Sequence, residues 1–165
     1  HIQSLKNKIP NKMPVNHRWA GFILSSMPDA KVINLQRDAR ATCWSNFKHY
    51  FAPDGNGYTY NIEDLVEYYN MYVDLMEFWR QKYPGRIYDL NYERLTENQE
   101  EETRKLIEYT GLEWEDQCLS FQDNERRVKT ASLSQVRQKM YQGSSDEWRK
   151  YEPYLGEMLS ALKGI

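Results

Sequence analysis

The chain has 165 residues, a length that suits one domain and would be short for two. Apolar residues make up 40% of it and charged residues 28%, a globular composition that excludes disordered and collagen-like chains. No apolar run reaches the roughly 18 residues that a membrane span needs, so no span is expected. The formal net charge of −2 argues against a general nucleic-acid binder.

The first residues, the cysteines and the histidines predict where the protein resides, the redox state of its thiols and whether it binds a metal. No positively charged start leads into an apolar stretch, so no signal peptide is visible and we expect a cytoplasmic protein. Cys43 and Cys118 are too few for a disulfide framework, and we expect reduced thiols. His1, His17 and His49 show no ligand spacing with each other or with the cysteines, so we expect no metal.

The first half of the chain predicts helices around one short strand. Asn16 is a candidate cap for a helix over residues 17–26, with Trp19, Phe22 and Ile23 on one face. Residues 31–36 form a β-rich run between a turn and a helix signal, which predicts a buried strand.

Two further helices are predicted before the second strand. Asp38 is a good N-cap for a helix that reaches Phe51 and stops at Pro53. Asn61 and Asp64 resemble a capping box at the start of a helix to about Tyr83. Two apolar stripes on that helix indicate burial on two sides.

The second strand and its flanking helix complete an alternating pattern. Residues 87–92 alternate enough for a strand, and Thr96 with Gln99 predicts the start of a helix that ends at Gly111. Helices alternating with strands indicate an α/β fold with a mostly parallel sheet. We therefore expect residues 1–165 to form one domain with these two strands parallel.

Charge and spacing point to one candidate anion site. Net charge is −7 over residues 89–116 and +4 over residues 124–150, which is either a solvated mixed surface or a basic part facing an anion. The first strand delivers Arg37 to its carboxyl end, where the next helix points free N–H groups. Ser45 lies about two turns along that helix on nearly the same face, so both side chains can converge on one anion.

Residues 31–45 read Lys-Val-Ile-Asn-Leu-Gln-Arg-Asp-Ala-Arg-Ala-Thr-Cys-Trp-Ser. This stretch resembles the strand and helix with which sulfotransferases bind the 3′-phosphate of 3′-phosphoadenosine-5′-phosphosulfate (PAPS). In that family an arginine and a serine eight residues apart hold the phosphate. The resemblance assigns these roles to Arg37 and Ser45.

Other segments resemble the same family in the same order. Asn-Lys-Met-Pro at 11–14 is similar to the lysine-proline segment of tyrosylprotein sulfotransferases, and Tyr-Glu-Arg-Leu at 92–95 to a segment whose tyrosine approaches the nucleotide. Stretches at 111–115, 128–137 and 148–152 resemble the family's C-terminal pattern. The resemblance implies that Lys12 is catalytic and that Tyr92 and Ser132 contact PAPS.

The chain departs from the family at several places, of which two bear on the site. The 5′-phosphosulfate loop, a P-loop-like turn rich in Gly and Ser/Thr, has no counterpart before Lys12. We therefore expect a P-loop-NTPase-like three-layer α/β fold whose amino-terminal part is missing. Glu147 stands before Trp148, where relatives tend to be basic.

The resemblance implies transfer of a sulfuryl group from PAPS to an acceptor hydroxyl, without metal, nucleic acid or a membrane span. The acceptor would be a protein tyrosine, a glycan or a small molecule, and Lys12 would meet charge that grows on the bridging oxygen. The alternative is a non-catalytic remnant of the fold that binds a 3′-phosphonucleotide or a partner. A nucleotide phosphotransferase is less favoured, because GxxxxGK[ST] does not occur.

Overall fold

The computed structural model describes residues 10–51, 56–123 and 140–163. These residues form short 3₁₀ helices, α-helices and one small sheet. In chain order the regular elements are α1 (Ala20–Ser26), β1 (Val32–Gln36), α2 (Ala39–Phe47), α3 (Ile62–Lys82), β2 (Ile87–Asn91), α4 (Tyr92–Glu97), α5 (Gln99–Thr110) and α6 (Gly156–Ala161). The 3₁₀ helices are Pro14–Trp19, Gly57–Tyr60, Asp116–Leu119, Phe121–Asp123 and Glu147–Tyr154.

The sheet is a parallel pair, as the alternating pattern predicts. β1 pairs with β2 in a register that runs from Val32 opposite Ile87 to Gln36 opposite Asn91. The expectation of a buried first strand is only partly correct. Asn34 is buried, but the apolar side chains of Ile33 and Leu35 are 43% and 55% exposed.

Helices pack on both faces of the sheet. On one face the hydroxyl of Tyr72 in α3 donates to the side chain of Asn34 at 2.8 Å. On the other face Tyr88 of β2 stacks on Tyr109 of α5, with ring centroids 4.9 Å apart. This helix–sheet–helix arrangement is the α/β architecture that the element order indicates.

The main apolar core lies between α2, α3 and the C-terminal elements. Its buried members are Ala39, Ala41, Cys43, Leu65, Val66, Trp148, Leu155, Met158 and Leu162. The core therefore fixes α2 and the Glu147–Tyr154 segment against each other, and both contribute to the site described below. Within the described residues, none of the helices combines the length and the apolar character that crossing a bilayer requires.

Three local predictions are confirmed, two by a hydrogen bond and one by a backbone angle. The Asp38 side chain accepts from the Ala41 N–H at 3.0 Å, and Asn61 caps α3 by accepting from the Asp64 N–H at 2.9 Å. Gly111 ends α5 in the left-handed conformation with φ of 66°. Capping is decided by neighbours in the chain, which explains why the sequence predicts it.

The first predicted helix differs from the structure. Its start is a 3₁₀ helix that begins at Pro14, and Asn16 bonds back to the Asn11 side chain at 3.3 Å and does not cap a helix. Trp19 and Phe22 are 60% and 69% exposed. The face that packs holds the small residue Gly21, against which the ring of Trp79 lies.

Three other boundaries or faces were predicted wrongly. α2 ends at Phe47, before the predicted end at Phe51, whose carbonyl accepts a hydrogen bond from the Tyr60 hydroxyl outside any helix. Thr96 does not cap α5; its hydroxyl donates to the Glu93 carbonyl within α4 at 2.8 Å. The second stripe of α3 is not fully buried, since Met71 and Phe78 are 55% and 52% exposed.

Candidate functional site

The two strands end side by side, and the residue that follows each strand enters one cleft. Gln36 and Asn91 are the last paired residues, so Arg37 and Tyr92 leave the sheet at the same level. Both line a cleft of about 300 Å³ beyond the carboxyl ends of the strands, where open α/β sheets bind ligands. The other lining residues are Ala41, Trp44, Ser45, Asn46, Lys48, His49, Phe51, Tyr141, Ser144 and Glu147.

The amino-terminal end of α2 is closed by carboxylates. Asp38 accepts from the Ala41 N–H and from Arg40, while its own backbone N–H donates to Glu93 Oε1 at 3.1 Å. Desolvation raises the pKa of Asp38, but the hydrogen bonds from Arg40 and Ala41 outweigh it, so the pKa lies below its ordinary value. The expectation of free N–H groups at this end is therefore wrong for the backbone N–H groups of Asp38 and Ala41. An anion here would be bound chiefly by side chains.

Arg37 is held in the cleft by the turn at Ser144 and Ser145, in the C-terminal segment that the structure describes at residues 140–163. Its Nε donates to the Ser145 hydroxyl at 3.1 Å, and its Nη2 donates to the Ser144 carbonyl. The guanidinium carbon lies 5.2 Å from the centroid of the Tyr92 ring, within the range of a cation–π contact. The Tyr92 hydroxyl is 3.1 Å from the Ser144 hydroxyl. The turn thus fixes both Arg37 and Tyr92.

Ser45 and two basic side chains line the same cleft from α2 and the residues after it. Among the described residues the Ser45 hydroxyl makes no side-chain hydrogen bond, which leaves it available to an anion. Lys48 and His49 follow it by three and four residues, just past the end of α2 at Phe47. Trp44 contributes an aromatic wall and packs on Tyr151 with centroids 4.4 Å apart.

One acidic residue also lines the cleft. Glu147 forms an ion pair with Lys48. The hydrogen bond from Lys48 is the largest cause that lowers the pKa of Glu147, so the carboxylate is charged near neutral pH. The pair offsets one of the cations that would otherwise attract an anion.

Of the two remaining predicted site residues, the structure describes only Lys12. Lys12 is exposed in the segment before the 3₁₀ helix at Pro14–Trp19 and is not among the lining residues of the cleft. Ser132 lies outside the described residues. The described part of the chain holds no group of three His, Cys, Asp or Glu side chains able to bind a metal ion.

Sequence reasoning missed several residues of the cleft. The helical spacing of Lys48 and His49 from Ser45 was a usable signal for two of them. Ser144 and Ser145 carried no such signal, because more than 100 positions separate them from Arg37 in the chain. Only the packing of the C-terminal segment on α2 brings them together.

Comparison with known proteins assigns the family. Residues 1–116 match the model of the sulfotransferase family, and the chain therefore belongs to that family. The alternating strands and helices described above are consistent with an α/β sulfotransferase domain.

Individual relatives differ in how much of their length is matched. An uncharacterized protein of Aquifex aeolicus (strain VF5) is 39% identical over 98% of this chain and 22% of its own length. A Drosophila melanogaster protein-tyrosine sulfotransferase is 24% identical over 78% of this chain and 26% of its own length. A Caenorhabditis elegans protein that carries the same name provisionally is 29% identical over 72% of this chain and 46% of its own length. The chain thus spans less than half the length of these curated relatives.

Proposed function

We propose that this chain binds the 3′-phosphate end of PAPS in a sulfotransferase that transfers the sulfuryl group to an acceptor hydroxyl. The observation that carries the proposal is the meeting of Arg37, Ser45 and Tyr92 in one cleft at the strand ends. These three residues come from two distant parts of the chain, and each stands where the family resemblance requires a nucleotide contact.

The donors and walls of the cleft fit a phosphorylated nucleotide. Arg37 supplies a guanidinium and Ser45 a hydroxyl, the charge-assisted and neutral donors that phosphate oxygens accept. The aromatic side chains of Trp44 and Tyr92 offer faces for a planar base. A cleft of about 300 Å³ lies at the small end of the range for small-molecule sites.

The proposed sulfuryl transfer also needs a catalytic cation, for which this chain offers Lys12. PAPS would supply the sulfuryl group: its bond to the phosphate oxygen would break as the acceptor oxygen bonds to sulfur, 3′,5′-ADP would leave, and the hydroxyl proton of the acceptor would be released. We propose that Lys12 places its ammonium near the oxygen on which charge grows, where a cation stabilises the transition state. The names of the Drosophila and Caenorhabditis relatives favour a protein tyrosine as the acceptor.

The experiment measures nucleotide binding to the intact protein by calorimetry. Two ligands are compared, 3′,5′-ADP and 5′-AMP, which differ only in the 3′-phosphate. We expect Arg37→Ala to weaken 3′,5′-ADP by about 10- to 150-fold, the equivalent of about 1.5–3 kcal/mol for a hydrogen bond to a charged group. Affinity for 5′-AMP should stay within about twofold.

Arg104→Ala is the matched control. Arg104 lies on α5 outside the cleft, paired with Glu100, so its loss removes the same charge without touching the site. Wild-type protein that binds both ligands equally would refute the 3′-phosphate assignment. Selective 3′,5′-ADP binding without sulfuryl transfer to a tyrosine peptide would support the non-catalytic alternative.

A further inference from the structure

Three separate parts of the chain meet at the hydroxyl of Ser145. Its Oγ accepts the Nε–H of Arg37 at 3.1 Å and donates its own proton to Glu93 Oε1 at 2.5 Å. The direction of each bond is fixed, since arginine can only donate and an ionised carboxylate can only accept. The hydroxyl therefore links the residue after β1 with the second residue of α4.

Glu93 is itself anchored to the backbone beside Arg37. The same oxygen, Oε1, also accepts the backbone N–H of Asp38 at 3.1 Å. Glu93 Oε1 thus accepts two hydrogen bonds. One comes from the backbone just after Arg37, and the other comes from the Ser145 hydroxyl that binds the Arg37 side chain. Among the described residues, Arg37 and Glu93 form no direct ion pair, and Ser145 stands between them.

The interposed hydroxyl leaves most of the guanidinium available. Arginine has five N–H donors, of which Ser145 takes the one on Nε and the Ser144 carbonyl takes one on Nη2. Among the described residues no group takes the other three donors, which are left for a ligand. A direct bidentate pair with a carboxylate would occupy two donors and offset the positive charge at close range.

A glycine shapes the backbone of the turn that presents Ser144 and Ser145 to Arg37. Gly143 precedes the two serines with φ of 87°, a conformation that residues with a Cβ rarely adopt. The turn directs the Ser144 carbonyl and the Ser145 hydroxyl to Arg37, and the Ser144 hydroxyl to Tyr92.

We propose that Ser145 is a positioning residue for the 3′-phosphate: it holds the Arg37 guanidinium between Glu93 and the ligand without a direct ion pair to Glu93 that would occupy its donors. This inference rests on the proposed function, because it takes the 3′-phosphate as the ligand of Arg37. It adds a residue from the C-terminal segment to the recognition of that phosphate.

The test is calorimetric titration of the intact protein with 3′,5′-ADP and with 5′-AMP. We expect Ser145→Ala to weaken 3′,5′-ADP by about three- to tenfold, the loss of one ordinary hydrogen bond, and to change 5′-AMP affinity by less than about twofold. Ser145→Thr keeps the hydroxyl and should stay within about twofold of wild type for both ligands. Ser25→Ala, at an exposed position of α1 where the lost bond is to the Phe22 carbonyl, is the matched control and should change neither affinity.

A double-mutant cycle shows whether Ser145 acts through Arg37. In an Arg37→Ala background, Ser145→Ala should cause no further loss of 3′,5′-ADP affinity. An equal loss for both ligands, an additive loss in that background, or a Ser145→Thr protein as weak as Ser145→Ala would each overturn the inference. If Ser145→Ala fails to fold, Ser145→Cys keeps a similar volume with a poor hydrogen-bonding atom and should show the same selective loss.

The inference and the proposed function fail in different ways. If Arg37→Ala itself leaves 3′,5′-ADP affinity unchanged, the proposed function is wrong and the inference falls with it. If Arg37→Ala weakens binding selectively and Ser145→Ala does not, only the inference is wrong.

Discussion

Asn34 is the buried centre of a polar network that pins β1, β2 and α3 together. Its side chain is 8% exposed, donates to Asp89 Oδ1 at 2.8 Å and accepts from the Tyr72 hydroxyl at 2.8 Å. Arg80 completes the network with hydrogen bonds of 2.7 and 2.8 Å to the two oxygens of Asp89. Because Asn34 and Asp89 are register partners, the network fixes the alignment that brings both strand ends to the cleft.

The substitution Asn34→Ala removes both bonds of this side chain. The neutral bond from Tyr72 accounts for about 0.5–1.5 kcal/mol and a bond to a carboxylate for about 1.5–3 kcal/mol. The Asp89 side chain is 32% exposed, so the lower end of the second range applies. We expect a loss of about 2–3 kcal/mol in the free energy of unfolding at neutral pH.

The loss should depend on pH. Burial raises the pKa of Asp89, but hydrogen bonds from Arg80 and Asn34 outweigh it and lower the pKa below 3.8. A carboxyl with a lowered folded-state pKa contributes stability above its unfolded pKa, and that stability disappears as the pH falls through the folded-state value. The difference between wild type and Asn34→Ala should therefore stay constant from pH 7 to about pH 5 and shrink as the pH falls further, through the lowered folded-state pKa of Asp89.

The assay is urea unfolding followed by tryptophan fluorescence at several pH values. Gln36→Ala is the control, since Gln36 lies on the same strand face and makes no side-chain hydrogen bond among the described residues. We expect it to lose less than about 0.5 kcal/mol. A loss below that value in Asn34→Ala, or a loss that stays constant across the pH range, would refute this account of the network.

Two further predictions concern packing and the charge of the cleft. Gly21→Ala would place a Cβ 2.2 Å from the Trp79 ring, so we expect overpacking to cost about 1–3 kcal/mol in thermal or urea unfolding, whereas Ser25→Ala on the same helix should cost less than about 0.5 kcal/mol. Glu147→Gln removes the negative charge beside Lys48, so 3′,5′-ADP should bind about three- to tenfold tighter in calorimetry at low salt, with a smaller gain at high salt. Asp146→Asn, which removes a neighbouring carboxylate outside the cleft lining, is its control; an equal gain there would mean that net charge alone is responsible.

Much of the fold was predictable because it depends on neighbours in the chain. The strand runs, the caps at Asp38 and Asn61 and the left-handed Gly111 follow from local hydrogen bonding and backbone preference. The parallel pairing follows from the order of the elements. Arg37 was placed at the end of the first strand, whereas Tyr92 was predicted inside the second strand and was linked to the nucleotide only by the family resemblance; the structure ends that strand at Asn91.

The predictions that failed required knowledge of which face packs. Helical spacing put Trp19 and Phe22 on an apolar face, yet both are exposed because Gly21 offers the surface that admits the Trp79 ring. α2 likewise ends at Phe47, and Phe51, predicted to be helical, bonds through its carbonyl to the Tyr60 hydroxyl of the 3₁₀ helix Gly57–Tyr60. Periodicity records where apolar residues recur, but contacts distant in sequence select the side that is buried.

By itself the sequence determined the α/β class, the two parallel strands and the arginine, serine and tyrosine that resemble a nucleotide site. Only the tertiary structure decided how that site is built: Ser145 lies between Arg37 and Glu93, Glu93 accepts the backbone N–H at the start of α2, and Glu147 pairs with Lys48. The physical reason is that strand ends and caps arise from short-range bonding, whereas the charge and orientation of a guanidinium depend on every group packed around it. Two of those groups, Ser144 and Ser145, lie more than 100 residues away in the chain, and no local sequence pattern predicts that they pack there.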